Sequence, residues 1–420
     1  MHKIGTRTGL LAVALLTTLA ARAQLDNRAF LTPLAADSGQ ARQLRVRAEL
    51  FFFNKDNEYF HKIADGYTLF GVTARPQLTW QPNARVKLAA GVFFRQDFGN
   101  QLGPNGGSRL RQIRPALTAV VQGDSWRFLF GSLDGHLHHG LAEPLYDFER
   151  VMLQRPEEGI QLTGETGRLR YDAWVNWERM QYARDSAQEA VSGGFSGLID
   201  LVGGHRYKKT LAPGAALGAD DPFTTVKNQH FSDPSLNTYS RHTFGLRVPI
   251  QFTGRHIGGQ IDTIDRPLQT YFVGATGLRA VWRWDSASFI HGLRLEALAT
   301  GFLDYSFTPR LPFPSGKGLY LNAGLETKLN TIWVSYWRGD GFASPGLGGV
   351  LYSSLGTTVK NPGYRERQRE LLIVRFTHDF RLWQTGHLTS RAEPYYDLRN
   401  KRFEFNLGLY LTGLLDGRLR

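Results

Sequence analysis

One segment of the chain, Asp134–Glu158, brings together most of the residue types that could do chemistry. Its candidate residues are His136, His138, His139, Glu143, Asp147, Glu149, Arg150 and Glu157. Imidazole and carboxylate groups ligate transition metals and also transfer protons. Three histidines without a defined geometry are a weak metal signal, and a polar loop that contacts solvent or substrate explains them as well. We therefore predict no metal and no cofactor.

Ester hydrolysis is the enzymatic alternative for this segment. A hydrolase needs a nucleophile beside a base, commonly serine and histidine oriented by an acid or amide. Ser125 and Ser132 lie near the histidines in the sequence, but the chain has no Gly-x-Ser-x-Gly motif and no glycine-rich phosphate loop. We expect the protein not to be an enzyme. A membrane-embedded hydrolase acting on a lipid or ester remains the alternative.

The elements that must position these residues are β-strands. In 168–178 and 241–253, polar and apolar residues alternate strictly, which is the spacing of the two unlike faces of a strand. The predicted strands are 43–53, 68–80, 85–97, 109–122, 125–133, 158–165, 168–179, 241–253, 256–264, 270–284, 288–303, 317–329, 331–338, 370–381, 387–397 and 402–413. The segment 190–201 is a further candidate. We expect about sixteen strands, with fourteen to eighteen open.

The N-terminus has the layout of a cleaved secretory leader. Basic residues precede the apolar run Leu10–Leu19, and Ala21-Arg22-Ala23 follows it. The run is too short to span a bilayer as a helix. We predict a signal peptide over 1–23, a short N-terminal extension over 24–41, one barrel domain over 42–413 and a C-terminal tail over 414–420.

The composition narrows the class further. The chain has no cysteine, which excludes disulfides, thiolate metal sites and a lipidated N-terminal cysteine. The net charge is +13, and removal of the three leader cations Lys3, Arg7 and Arg22 leaves +10. The arginines are spread over the strands and not clustered, so we expect no nucleic-acid binding. A positively lined cavity fits this distribution better.

Short and long connections alternate between the predicted strands, as in barrels with short periplasmic turns and long extracellular loops. With this order of alternating strands, short turns and long loops, the chain resembles the bacterial outer-membrane β-barrel proteins, in particular sixteen-strand porins. The resemblance implies an all-β, single antiparallel transmembrane barrel in the outer membrane with its apolar face towards lipid. A soluble secreted β-protein with the apolar face as its core is the alternative.

The polar face of the predicted barrel is rich in arginine. Its basic residues are Arg45, Arg47, Arg95, Arg114, Arg127, Arg168, Arg170, Arg247, Arg279, Arg283, Arg294, Arg375 and Arg391. Guanidinium groups hold anions by bidentate hydrogen bonds, so a wet pore lined in this way favours anionic solutes. Alternatively, these residues pair across strands and stiffen the barrel.

The porin resemblance also implies a role for the third long loop, 134–157. In such barrels this loop folds inward and narrows the channel, which would place Glu143, Asp147, Glu149 and Glu157 at a constriction. We therefore expect a passive channel for small hydrophilic solutes, with outer-membrane lipid as its surroundings. A structural or binding barrel without channel activity stays open, as does a homo-oligomer.

Overall fold

A computed structural model of the chain describes residues 33–99, 112–134, 139–183, 185–202, 243–259, 262, 266–284, 288–328 and 330–419. Within these ranges the structure is almost entirely β. One short helix, α1 (Arg150–Leu153), and two short 3-10 turns at Ser38–Gln40 and Val350–Tyr352 interrupt the connections. No helix of the described residues has the length and apolarity of a transmembrane helix.

The described residues form one closed antiparallel barrel in which each strand pairs with its neighbours in sequence and β1 closes on β16. The strands are β1 (Gln43–Glu58), β2 (Tyr67–Gln81), β3 (Val86–Asp97), β4 (Gln112–Gln122), β5 (Trp126–Ser132), β6 (Glu158–Thr166), β7 (Leu169–Arg179), β8 (Ala190–Val202), β9 (Thr243–Ile257), β10 (Gln269–Arg283), β11 (Ile290–Asp304), β12 (Ser315–Thr327), β13 (Thr331–Asp340), β14 (Gln368–Trp383), β15 (Gly386–Asp397) and β16 (Arg402–Arg418). The predicted sixteen-strand, porin-like barrel is confirmed.

The alternation in sequence places apolar side chains on the outer face. Phe70, Leu117 and Phe130 are more than half exposed around the wall, while inward positions such as Arg127 and Glu296 are buried. An aqueous exterior would not tolerate so continuous an apolar surface, and a closed barrel leaves no unpaired backbone in lipid. The barrel is therefore an outer-membrane barrel, oriented here with the start of β1, the end of β16 and the shortest turns at the periplasmic end.

Four differences from the predicted strands follow from the pairing. The segment 190–202 is a strand, β8, between β7 and β9. The predicted separate strand 256–264 is wrong, because β9 runs unbroken through 254–255 and ends at Ile257. Consequently β8 ends and β9 begins at the periplasmic end of the barrel. Finally, β16 pairs with β1 as far as Arg418, so most of the predicted tail 414–420 belongs to the barrel wall.

Three extracellular loops fold into the lumen: L1 (residues 59–66), L3 (133–157) and L7 (341–367). Their buried apolar side chains form one cluster with inward residues of the wall, and its members include Tyr59, Ala64, Leu141, Leu145, Phe342, Leu347, Leu298, Phe302 and Trp337. Below it, Leu34 and Ala36, which precede β1, also lie inside the barrel. Gln122 binds both the amide and the carbonyl of Ala36, and the Arg127 guanidinium donates to the Leu34 carbonyl.

Candidate functional site

Loop L3 is held across the lumen by loop L7. The Asp147 amide donates to the Leu347 carbonyl at 2.7 Å, and the Gly349 amide donates to the Glu143 carbonyl at 3.1 Å. The apolar side chains of L3 supply the adhesion, since Leu145 is completely buried. These contacts place the carboxylates of L3 inside the barrel, as the constriction-loop interpretation requires. His136 and His138 lie outside the described residues.

His139 is a structural ion-pair centre. Its Nε2 lies 2.6 Å from Glu157 Oε2, its Nδ1 lies 3.1 Å from Asp172 Oδ2, and its ring stacks 3.7 Å above Trp174. Burial disfavours the charged ring, but the two carboxylates outweigh it and raise the pKa of His139 to about 9. The two carboxylates therefore favour the charged ring, in which both nitrogens donate.

Glu157 completes this centre. Burial alone would raise its pKa, but the charge of His139 holds the pKa of Glu157 near 2. The Tyr146 hydroxyl donates to its other oxygen at 2.5 Å, and Arg150 lies 3.6 Å away. Both ring nitrogens of His139 and both oxygens of Glu157 thus have partners inside the barrel. The centre anchors L3 to β7.

Glu149 forms a second centre against β1 and β2. Lys55 Nζ donates to Glu149 Oε1 at 2.5 Å, Asn57 Nδ2 donates to the same oxygen at 2.9 Å, and the Tyr67 hydroxyl donates to Oε2. Burial opposes ionisation of Glu149, but Lys55 and these hydrogen bonds lower its pKa. Glu149 therefore stays ionised, and both of its carboxylate oxygens accept hydrogen bonds from these residues.

Glu143 forms a third centre, against β14 and β15. Its Oε1 accepts from Arg375, and its Oε2 accepts from the Tyr352 hydroxyl at 2.7 Å. Arg375 and Arg391 share the buried Glu393 of β15 as well. Two guanidinium groups and two carboxylates thus balance each other at this wall.

Asp147 differs from these three carboxylates. Its side chain is only partly buried and makes no ion pair with a described cation. Its Oδ1 accepts the Glu149 amide at 3.0 Å. Burial, together with the charge of nearby Glu149, raises the pKa of Asp147 to about 6. A carboxyl group inside the barrel with its pKa moved towards neutrality is a candidate for proton transfer.

The inward arginines are mostly neutralised by carboxylates. Ion pairs are formed by Arg45, Arg47, Arg95, Arg127, Arg170, Arg247, Arg279, Arg294, Arg375 and Arg391. Arg114 is exposed near the extracellular end of β4, and Arg283 ends β10. The prediction is wrong for Arg168, because this residue lies in the exposed turn between β6 and β7 and not on the lumen face. This pairing is what cross-strand stiffening predicts.

A cluster that the sequence did not reveal lies at the extracellular mouth. Ligand atoms of His61, Glu366 and Asp397 lie within 4.8 Å of one another, and the His61 Nδ1 is buried without a hydrogen-bond partner among the described residues. However, the Arg369 guanidinium lies 2.8 Å from Glu366 and 2.7 Å from Asp397. A divalent cation there would face a fixed positive charge. The cluster is an ion-pair network that ties L1, L7 and β15 together.

Solved structures with similar folds are bacterial outer-membrane proteins. OprD from Pseudomonas aeruginosa is 11% identical over 92% of this chain and 97% of its own, with a TM-score of 0.43. OccAB2 from Acinetobacter baumannii is 9% identical over 90% and 99%, with a TM-score of 0.45. A loop-deletion mutant of OmpT from Vibrio cholerae is 9% identical over 89% and 99%, with a TM-score of 0.45. No curated protein matches the chain.

A protein-family model gives a more specific result. The model described as lipid A 3'-O-deacylase-type matches residues 36–216 and 229–418, which include all sixteen strands and the inward loops L1, L3 and L7. A deacylase family is a family of enzymes, so the expectation that the protein is not an enzyme is wrong. That expectation depended on linear serine motifs, and a site assembled from loops and distant strands does not need one. The chain belongs to the lipid A 3'-O-deacylase-type family.

Proposed function

We propose that the protein is an outer-membrane hydrolase that releases ester-linked acyl chains from a lipid A-type glycolipid. The family match over nearly the whole barrel supports the reaction class. The observation that supports the site most directly concerns Asp147. Its carboxylate has no ion pair with a described cation, whereas the neighbouring carboxylates in the lumen are bound to cations. The hydrolase, which the sequence left as the alternative, is thus the better supported function.

In this proposal Asp147 acts as the general base. Ester hydrolysis requires removal of a proton from the attacking water and stabilisation of the negative charge that develops on the carbonyl oxygen. Asp147 Oδ2 takes the proton from the attacking water and returns it to the departing alcohol oxygen as the ester C–O bond breaks, while the Glu149 amide keeps Oδ1 in place. Lys55, whose charge acts on Asp147, and Asn57 are both held by Glu149 and supply a positive charge and an amide donor. The rigid partners of Glu149 thus position the base and its surroundings.

The pH dependence follows from the pKa of Asp147. The base must be ionised, and its pKa lies near 6. Acyl release should therefore fall about tenfold for each pH unit below 6 and level off above 7. His139 and Glu157 keep their charges throughout this window, because the pKa of His139 is about 9 and that of Glu157 about 2.

The test is the variant Asp147→Asn, which keeps the size and the amide contact but removes the base. Purified protein in mixed micelles is incubated with lipid A, and released fatty acid is measured by mass spectrometry. We expect a loss of 100-fold or more, the range that general-base catalysis contributes. Asp124→Asn, in an exposed periplasmic turn, should keep the parent rate. Parent-like acyl release by Asp147→Asn would refute the role of Asp147, and no release by the parent would refute the proposed reaction.

Passive conduction of small hydrophilic solutes is a second candidate function. The hydrophilic inner wall favours it, for example the Arg279–Glu296–Arg294 row. The paired arginines weigh against the predicted anion preference, since each guanidinium charge is offset by a carboxylate nearby. In planar bilayers, deletion of 136–149 should raise the single-channel conductance if L3 controls permeation. Equal conductance in parent and deletion variant would place L3 outside the permeation path.

A further inference from the structure

We propose that one sector of the extracellular rim docks the phosphate groups of the outer-leaflet glycolipid, an inference that rests on and extends the proposed function. The sector, named here the basic rim, is formed by L1, L7, the connection L8 (residues 398–401) and the start of β16. Its cations are Lys62, Lys360, Arg365, Arg399, Lys401 and Arg402, all of them exposed.

Contacts among the loops make the basic rim one continuous surface. The Thr357 amide donates to the Ile63 carbonyl at 2.8 Å, joining L7 to L1, and the Val359 amide donates to Asp65 at 2.9 Å. Asn400 of L8 donates to Glu366 of L7 at 2.7 Å. The cations of three separate connections are thus held beside one another by the fold.

The charges of the basic rim are available to a ligand. None of its six cations forms an ion pair with a described carboxylate. The acidic residues beneath them are mostly engaged: Glu366 and Asp397 bind Arg369, and Glu404 accepts the Phe60 and His61 amides at 2.9 and 2.7 Å. Asp65 of L1 accepts the Val359 amide and adds one negative charge to the surface. Arg367, by contrast, pairs with Asp340 at 2.7 Å and is therefore not part of the basic rim. Six cations against this one carboxylate leave the surface with a net positive charge.

Apolar side chains border these cations. Phe60 is 57% exposed, Val359 88% and Phe403 56%. Aromatic and aliphatic groups beside cations at the end of a membrane strand suit the boundary where acyl chains meet charged headgroups. A soluble anion would use the cations alone. An acylated, phosphorylated lipid contacts both the cations and the apolar side chains, and such a lipid is the ligand of the basic rim.

The mouth network described above supports the basic rim from below. Arg369 joins L7 to β15, and the L1 backbone is bound to β16 through Glu404. The cations are thus carried on loops that are fixed to the wall. Fixed cations recognise a headgroup at a lower entropic cost than mobile ones.

The experiment measures binding separately from hydrolysis. Full-length protein carrying Asp147→Asn, so that the lipid persists, is titrated in nanodiscs with bis-phosphorylated lipid A and with its dephosphorylated form. We expect the bis-phosphorylated lipid to bind at least tenfold more tightly. Neutralising four cations, as Lys360→Gln, Arg365→Gln, Arg399→Gln and Lys401→Gln, should abolish this preference, since each basic residue near an anionic surface contributes about fivefold.

Two controls complete the design. Arg266→Gln with Arg310→Gln removes exposed cations from connections elsewhere on the mouth and should leave the preference unchanged. The charge-conserving set Lys360→Arg, Arg365→Lys, Arg399→Lys and Lys401→Arg should retain it, which separates charge from misfolding. Equal binding of the two lipids by the parent, or an unchanged preference in the neutral variant, overturns the proposal. Intact binding without acyl release by the wild type would overturn the proposed function alone.

Discussion

His139 makes a quantitative prediction about stability. Its pKa is about 9 in the folded protein against 6.5 for the free side chain. A shift of about 2.5 units corresponds to about 3 kcal/mol at about 1.4 kcal/mol per unit. Because the folded-state pKa is raised, this stabilisation is fully present below pH 6.5 and is lost as the pH rises through 9.

The perturbation is His139→Gln, which removes the charge but keeps a polar side chain. The free energy of unfolding of the parent should fall by about 1.4 kcal/mol per pH unit between pH 6.5 and 9. The variant should lack this slope, so that the two proteins converge at high pH. Urea unfolding in lipid vesicles, followed by tryptophan fluorescence at several pH values, measures both curves.

Glu157→Gln is the companion variant in this test. It removes the carboxylate nearest to the imidazole, 2.6 Å from Nε2, and leaves Asp172 on the other side. The slope should then persist over a narrower pH range. Parallel curves for the parent and His139→Gln would show that the charged imidazole contributes nothing to folding, and the interpretation of the centre as the anchor of L3 would be abandoned.

Two further predictions concern the interior. Glu296→Gln leaves buried Arg279 and Arg294 without their shared carboxylate and should destabilise the barrel by about 3 to 5 kcal/mol. The loss is measured as a lower urea midpoint, and an unchanged midpoint would contradict the prediction. Gln122→Ala removes both hydrogen bonds to Ala36 and should speed hydrogen exchange at that amide, while the exchange of strand amides in β16 stays as in the parent; slow exchange at Ala36 would show that other contacts suffice.

Period-two alternation predicted most of the wall because lipid and lumen demand opposite side chains on each strand. It was weakest at β8, where the inward-facing and outward-facing side chains differ little. The reason is packing: a Cβ on Gly194 would come within 2.8 Å of the Trp174 ring, and one on Gly193 within 2.6 Å of the Trp174 carbonyl oxygen. Small residues required by Trp174 and by the backbone of β9 at Phe252 thus remove the contrast between the two faces that marks a strand.

The candidate site was predictable in part. Length, carboxylates and apolar anchors such as Leu145 identified L3 from the sequence alone. Its partners could not be identified, because Lys55 and Tyr67 come from β1 and β2, and Tyr352 comes from L7, about two hundred positions away. Asp147 was one acidic residue among several in the sequence. Only the pairing of the others distinguishes it.

The lumen cluster between L3 and L7 gives the barrel wall an apolar environment on each side. Lipid covers the outside, while Leu145, Phe342 and Leu347 provide a dry interior of protein side chains. Transfer into detergent replaces only the outer environment. The apolar contacts inside the lumen are made by the protein's own side chains and do not depend on the detergent. The loops should therefore keep their positions, and the site its geometry, in micelles of very different thickness.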